Sequence, residues 1–285
     1  MSIVMGENNY GKSEVRLVKV DRGESHGNRH GLRDITAEVS LSGDFDAAHV
    51  KGDNTDLIAT DTMRNTVYAL AKQHLAKDIE SFGLALVDHF LEAGPRNTGV
   101  RIKLTEHNWN RIEADGADHD HSFVKGSGKR TATISGDESG DRSVHAGLDD
   151  VTVLKTTNSG WEGYLHEQYT TLPETSDRIL STVITAEWQY NDTNIDFDRA
   201  WERVERRILQ TLTDHYSPSV QNTLYRMGYA VLEEQEAIER IHFSLPNIHH
   251  LLFDLERFGM ENDNEIFQAT SDPYGLIEGT VERIS

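Results

Sequence analysis

A chain of 285 residues has room for two domains or one large one, with a sizeable buried core in either case. Its 48 acidic against 28 basic residues leave a formal net charge of -20, which repels phosphate backbones and argues against a nucleic-acid partner. The absence of cysteine excludes disulfides, thiolate nucleophiles and iron-sulfur ligation, and no apolar run approaches the roughly 20 residues of a membrane span, so no membrane partner is expected.

In chain order, Met1 to Glu7 carries no basic and apolar leader, and the expected location is the cytoplasm. Ile35, Ala37, Val39 and Leu41 alternate with polar residues, the pattern of a strand with one buried face. Roughly Thr62 to Ala93 reads as a helix pair whose buried face includes Ile79, Phe82, Leu86 and Phe90, ended by Gly94-Pro95. Val100, Ile102 and Leu104 alternate again. The stretch from Gly126 to Asp150 is rich in Gly, Ser and Asp and predicts long hairpin loops. Phe197, Ala200, Trp201, Val204, Ile208 and Leu212 form one helical stripe. A second helix follows, with Ser217 expected as N-cap, Pro218 in the first turn, and Val220, Leu224, Met227 and Val231 facing inward. Ile241, Phe243 and Leu245 return to period two. This order, strands, two helices, strands, and then the same again, predicts an α+β chain of two tandem units, 1–140 and 141–285. Each would lay a helix pair on one face of an antiparallel sheet and leave edges for a partner copy.

Several constellations bear chemistry. His119-Asp120-His121 suggests a metal site, because histidines two apart on a strand share a face; a structural role is the ordinary outcome for such a pair. Lys125-Gly126-Ser127-Gly128-Lys129 echoes a phosphate loop but has Phe123 and Arg130 at the wrong positions, and reads as a hairpin turn. Asn247, His249, Leu251, Phe253 and Leu255 are spaced by two, which would aim an amide and an imidazole to one side of one strand. Thr60-Asp61 alone reads as a helix cap.

Tyr10-Gly11-Lys12, Ala59-Thr60-Asp61 with Asn65-Thr66, Asp177-Arg178-Ile179-Leu180 and Ser244-Leu245-Pro246-Asn247-Ile248-His249 stand together in this chain. So do Leu154-Lys155-Thr156-Thr157-Asn158-Ser159, Tyr169-Thr170-Thr171-Leu172 and Ser271-Asp272-Pro273-Tyr274-Gly275-Leu276-Ile277. Together they resemble the urate oxidase family from about Tyr10 to about Arg283. The resemblance implies a tandem T-fold, a homotetramer with sites formed between subunits, and oxidation of urate by dioxygen and water to 5-hydroxyisourate and hydrogen peroxide. It implies no metal and no organic cofactor. By motif, Lys12, Thr60 and His249 match a proton relay, and a general base of this kind is favoured where a like charge stands beside a lysine. Arg178 and Gln221 match the pair that clamps the flat substrate. Val220 and Asp61 match positions offering backbone amides, while Asn247 and Thr60 match those that hold dioxygen or the attacking water. Trp161 stands where the family usually has a stacking phenylalanine; an indole still offers a flat π face, of larger area. Two other readings stay open on the residues alone: a metal-dependent enzyme using His119, Asp120 and His121, and a T-fold that binds a purine or pterin without turnover.

Overall fold

Alternation of apolar and polar residues builds the first sheet. β1 (Asn9–Asp21) pairs antiparallel with β2 (Gly31–Gly43), and Ile35, Ala37, Val39 and Leu41 are buried together because side chains two apart share a face. A short helix α1 (Asp46–Lys51) precedes the helix pair α2 (Thr60–His74) and α3 (Ile79–Ala93). α2 packs on β1, and α3 packs on β3 (Asn97–Ala114) and β4 (Ala117–Asp137). Ile79, Phe82, Leu86 and Phe90 are fully buried as the spacing predicts. At about 1.5–3 kcal/mol per buried large apolar side chain, that face holds the helices to the sheet.

The computed structural model describes residues 3–23, 28–270 and 272–284. Met1, Ser2, Ser271 and Ser285, which the motif and terminus readings include, lie outside the described residues. β5 (Arg142–Lys155) and β6 (Leu180–Tyr190) lead into a second helix pair, α4 (Phe197–Thr213) and α5 (Val220–Glu234). β7 (Ile238–Asn247), the short β8 (His250–Leu252) and β9 (Phe267–Ala269), and β10 (Gly275–Glu282) complete the chain. Two compact units result. The first comprises Met1–Gly147 with Gln189–Trp201, the second Leu148–Trp188 with Glu202–Ser285. Strand order in the first is β1-β2-β3-β4 with the opening of β5; in the second it is β5-β6-β7-β10, and β8 pairs with β9 alone. The α+β class and the repeated order of strands, helix pair and strands are as expected from the sequence. Among the described residues no helix is long and apolar enough to cross a membrane.

Four local expectations are corrected. The stretch from Gly126 to Asp150 is not long loops: it lies mostly in β4 and β5, broken only by a turn around Ser139 and Gly140. Arg130, Ala132 and Ile134 point inward there, and this alternation overrides the turn-forming composition. Lys125 to Lys129 is not a hairpin turn but a bulge inside β4, where Lys129 faces His107 and Lys125 faces Trp109, with Gly128 at φ 76° taking up the extra residues. The N-cap of α5 is Ser219, whose side chain accepts from the Asn222 amide, rather than Ser217. Ser217 is held before the helix because its amide donates to Asn158 O. Finally, Asn247 and His249 do not share one strand. β7 ends at Asn247, opposite Gly275, and the Ile248 amide turns instead to Ser181 O.

The first unit also buries charge. Arg130 grips Glu80 through Nε at 3.2 Å and a second nitrogen at 2.7 Å, and reaches Asp198 at 2.5 Å. Arg33 joins Asp198 to Glu106. Burial pushes the Glu80 carboxyl up to about 7 against the pull of Arg130. Burial also works against the Arg130 charge, yet Glu80 and Asp198 hold that guanidinium above its ordinary value.

Candidate functional site

In the first unit the candidate residues sit where β1 meets the start of α2. Lys12 lies opposite Val39, immediately before a bulge in which Ser13 and Glu14 together stand against the single residue Glu38, Glu14 at φ 57°. Gly11 makes the pairing possible: a Cβ there would lie 1.8 Å from Val39 O. Tyr10 pairs with Leu41 and its hydroxyl accepts the Ile58 amide at 2.9 Å, which ties the residues ahead of Thr60 to the strand carrying Lys12. Burial raises the Tyr10 phenol, opposed by this bond, so it stays a neutral acceptor. Thr60 is the first residue of α2 rather than its cap; Ala59 occupies the N-cap without a side-chain bond. The first helical amides, those of Thr60 and Asp61 among them, therefore have no intrahelical acceptor. The Asp61 carboxylate is engaged by Arg64 at 2.7 Å and Asn65 at 3.1 Å.

In the second unit the segment from Asn158 to Trp161 is the hub. Ser217 donates its amide to Asn158 O and accepts from Gly160 N at 2.8 Å each, which sets the start of α5 against the segment. Trp161 exchanges both backbone bonds with Thr175, at 2.7 and 3.1 Å, and Arg178 donates its amide to Ser159 O at 2.8 Å. Asp177 fastens the turn by accepting from Thr157 Oγ1 and the Asn158 amide. Gly160 is required by close approach: a Cβ would lie 2.1 Å from the Tyr216 hydroxyl and 3.0 Å from Thr175 O. The Ile248 amide bound to Ser181 O places Asn247 and His249 beside the start of β6, three residues beyond Arg178.

The Arg178 guanidinium stands 5.7 Å from the centre of the Trp161 ring. Its Nε is buried and has no hydrogen-bond partner. Burial lowers the guanidinium from its ordinary value, with Tyr216 opposing. Trp161 is backed by further rings, stacking on Tyr164 at 5.4 Å and 15°, and Tyr164 stacks on His166 at 4.8 Å and 8°. Val220 is buried at the first position of α5 and Gln221 is exposed beside it. The structure thus gathers Lys12, Thr60 and Asp61 within one unit, and Trp161, Arg178, Val220, Gln221, Asn247 and His249 within the other.

The Uricase family model matches residues 8–135 and 144–278. The chain belongs to the uricase family. The curated uricase of Arthrobacter globiformis is 45% identical over 284 residues, covering 99% of this chain and 90% of that protein. The uricase of Dictyostelium discoideum is 37% identical, covering 97% and 96%. Among solved structures, the crystal structure of Arthrobacter globiformis uricase superposes with a TM-score of 0.93 at 44% identity, covering 99% of this chain and 96% of that one. The two matched stretches make the uricase chain a tandem pair of similar domains.

The His119, Asp120 and His121 constellation is not favoured by this membership. The two rings do share a face, 4.5 Å apart and edge to face. Asp120, however, offers its backbone oxygen to Arg111 and to the His30 amide, and among the described residues no three His, Asp or Glu side chains are arranged to hold a metal ion. Sequence reasoning also overlooked parts of this uricase-family scaffold. The tether from Tyr10 to Ile58 spans 48 residues, and the link between Ser159 and Ser217 joins distant loops. Neither leaves a periodic signal in the sequence, and the Tyr10-Gly11-Lys12 string does not disclose the partner of the Tyr10 hydroxyl.

Proposed function

We propose that this chain is a urate oxidase that converts urate, dioxygen and water to 5-hydroxyisourate and hydrogen peroxide without metal or organic cofactor. It would work as a homotetramer of tandem T-fold subunits in the cytoplasm. The observation that carries the reading is Arg178, a half-buried guanidinium whose Nε has no internal acceptor and which stands against an indole face. A buried donor of this kind calls for an outside acceptor. The planar fork can make two parallel bonds to the edge of a flat anion, and the π face can carry its ring. Urate has that shape and charge.

In this reading Arg178 and Gln221 clamp the ring edge, Trp161 stacks on it, and the amides of Val220 and Asp61 bind further ring acceptors. Asn247 and Thr60 hold dioxygen, then the attacking water, above the ring. Two electrons leave urate and reduce dioxygen to peroxide; water supplies the new hydroxyl, and Lys12, Thr60 and His249 pass the protons. The Lys12 set and the Arg178 set come from different subunits, so a separated subunit would not turn over. Purified, chelated protein should bleach the urate absorbance band while taking up one dioxygen and releasing one peroxide per urate, on the order of that simple stoichiometry. Turnover that needs an added divalent metal, or urate binding without oxygen uptake, would overturn the reading.

A further inference from the structure

The loop from α4 to α5 carries a chain of hydrogen bonds that ends beneath Val220 and Gln221. Lys155 donates to Leu212 O at 3.3 Å and to His215 O, fixing the loop on β5. His215 Nδ1 lies 2.6 Å from Thr211 O, and Nε2 lies 3.0 Å from Thr223 Oγ1. Thr223 Oγ1 is in turn 2.7 Å from Ser217 Oγ, which is 3.1 Å from Ser219 O. Both hydroxyl residues are essentially sealed from solvent, Thr223 at 2% and Ser217 at 1% exposure.

The sense of each bond follows from chemistry. A carbonyl can only accept, so Nδ1 carries the proton, and in the neutral ring Nε2 is left as an acceptor. Thr223 must donate to it. Its oxygen is then free to accept from Ser217. In the charged ring Nε2 becomes a donor, and the Thr223 proton has to turn toward Ser217 Oγ or Ser219 O. Protonation therefore reverses the bond between His215 and Thr223 and, with it, the one between Thr223 and Ser217, while the carbonyl of Ser219, the residue that caps α5 immediately before Val220, accepts in either state. Ser217 is also the residue whose backbone is bridged to Asn158 and Gly160, so the same chain governs how the helix start meets the segment carrying Trp161.

We propose that His215 is a positioning residue for the substrate: its neutral imidazole, acting through Thr223 and Ser217, holds the start of α5 where Val220 and Gln221 meet the ring. This rests on the urate oxidase reading. The charged groups facing the imidazole are Lys155 from β5, Arg226 from α5 and Asp214 from its own loop. Burial lowers its proton affinity, and the two cations add to this; the bond to Thr211 and the Asp214 charge oppose them. The neutral form is thus favoured, and the ring charges at lower pH than an ordinary histidine.

The test is a comparison of kcat and KM for urate across pH in the full-length protein and three variants. Thr223→Val keeps the volume but removes the hydroxyl, and should raise KM about tenfold while kcat stays within about twofold, with Thr223→Ser restoring both. His215→Asn, whose amide can still donate to Thr211 but cannot reach Thr223 or titrate, should show a raised KM at every pH. The wild type should lose kcat/KM on acidification through KM alone, and that limb should be missing in His215→Asn and Thr223→Val. An unchanged KM in Thr223→Val, or an acid limb unaltered in His215→Asn, would overturn the proposal; should Thr223→Val not fold, His215→Asn and Thr223→Ser still decide it. If the wild type does not oxidise urate, the functional reading fails first. The network is then judged by nitrogen NMR of the histidine rings: an Nδ1-protonated His215 whose Nε2 signal moves in Thr223→Val and returns in Thr223→Ser supports it, and the opposite tautomer or a signal unmoved in Thr223→Val overturns it.

Discussion

Arg178 and Lys12 are both cations, yet their surroundings differ. The Arg178 guanidinium is half-buried over Trp161 with an unpartnered Nε, so its value lies in a planar fork that a point charge cannot copy. Arg178→Lys should weaken binding of a non-oxidisable urate analogue by about 10- to 100-fold, the range of a lost charge-assisted hydrogen bond. Calorimetric titration checks this, and unchanged affinity would remove Arg178 from the clamp. Lys12 has no hydrogen-bond or ion-pair partner among the described residues and sits at the edge of a bulge in β1. If it moves protons in the transition state, Lys12→Met should cut kcat by about 10²- to 10⁴-fold and leave KM nearly unchanged. Steady-state kinetics reading a normal kcat would reject that role.

At the level of elements, the ion cluster of α3, β4 and the start of α4 is the costliest feature of the first unit. Glu80 is fully buried and Arg130 nearly so, and truncating one partner strands the other charge. Arg130→Met should destabilise by about 3–5 kcal/mol, and the double variant with Glu80→Leu by much less, because two apolar side chains leave no stranded charge. Denaturant unfolding of both variants measures this; equal losses would show that the pair matters by packing alone. The pH dependence has a definite sign. Burial pushes Glu80 in the folded chain up to about 7, above its ordinary 4.5, so the folded state holds the proton more tightly. Its contribution favours folding most fully below the ordinary value and is lost as pH rises through about 7. Glu80→Gln should flatten stability across that window, as unfolding curves at several pH values would reveal.

For the whole molecule the governing quantity is the charge of -20. A small domain is comfortable at a magnitude of about 2 to 8, and the proposed assembly of four subunits would accumulate repulsion well beyond that. Salt shortens the Debye length from about 10 Å at 0.1 M to about 3 Å at 1 M, which relieves it. The melting temperature and the assembled fraction should therefore rise from low to molar potassium chloride, by about 2–4 °C for each kcal/mol of repulsion removed. Thermal melting and sedimentation report both. Values that stay flat or fall would exclude salt adaptation. Urate binding is a poorer readout, because screening weakens the global repulsion of the anion and the local pull of Lys12 and Arg178 together.

Which parts were legible beforehand follows from the range of each interaction. The strand holding Ile35 to Leu41, the helix stripe from Phe197 to Leu212 and the repeated element order were readable in the sequence, because the 2.0 and 3.6 periods are local and each burial face repeats every few residues. The motifs around Lys12, Arg178 and His249 were equally visible as strings of residues. Their setting was not. Ser217 looks like a helix cap until Asn158, far away in the chain, takes its amide and moves the cap to Ser219. Asn247 and His249 look like strand neighbours until Ser181 captures the Ile248 amide and breaks the strand. Lys125 to Lys129 look like a turn until Trp109 and His107 pair with the two ends of the stretch. In each case a partner distant in the chain overrode the local pattern. Local pattern supplied the burial face and the residue types, whereas only the tertiary structure decided which partner was within reach, because that depends on where another strand or loop comes to lie.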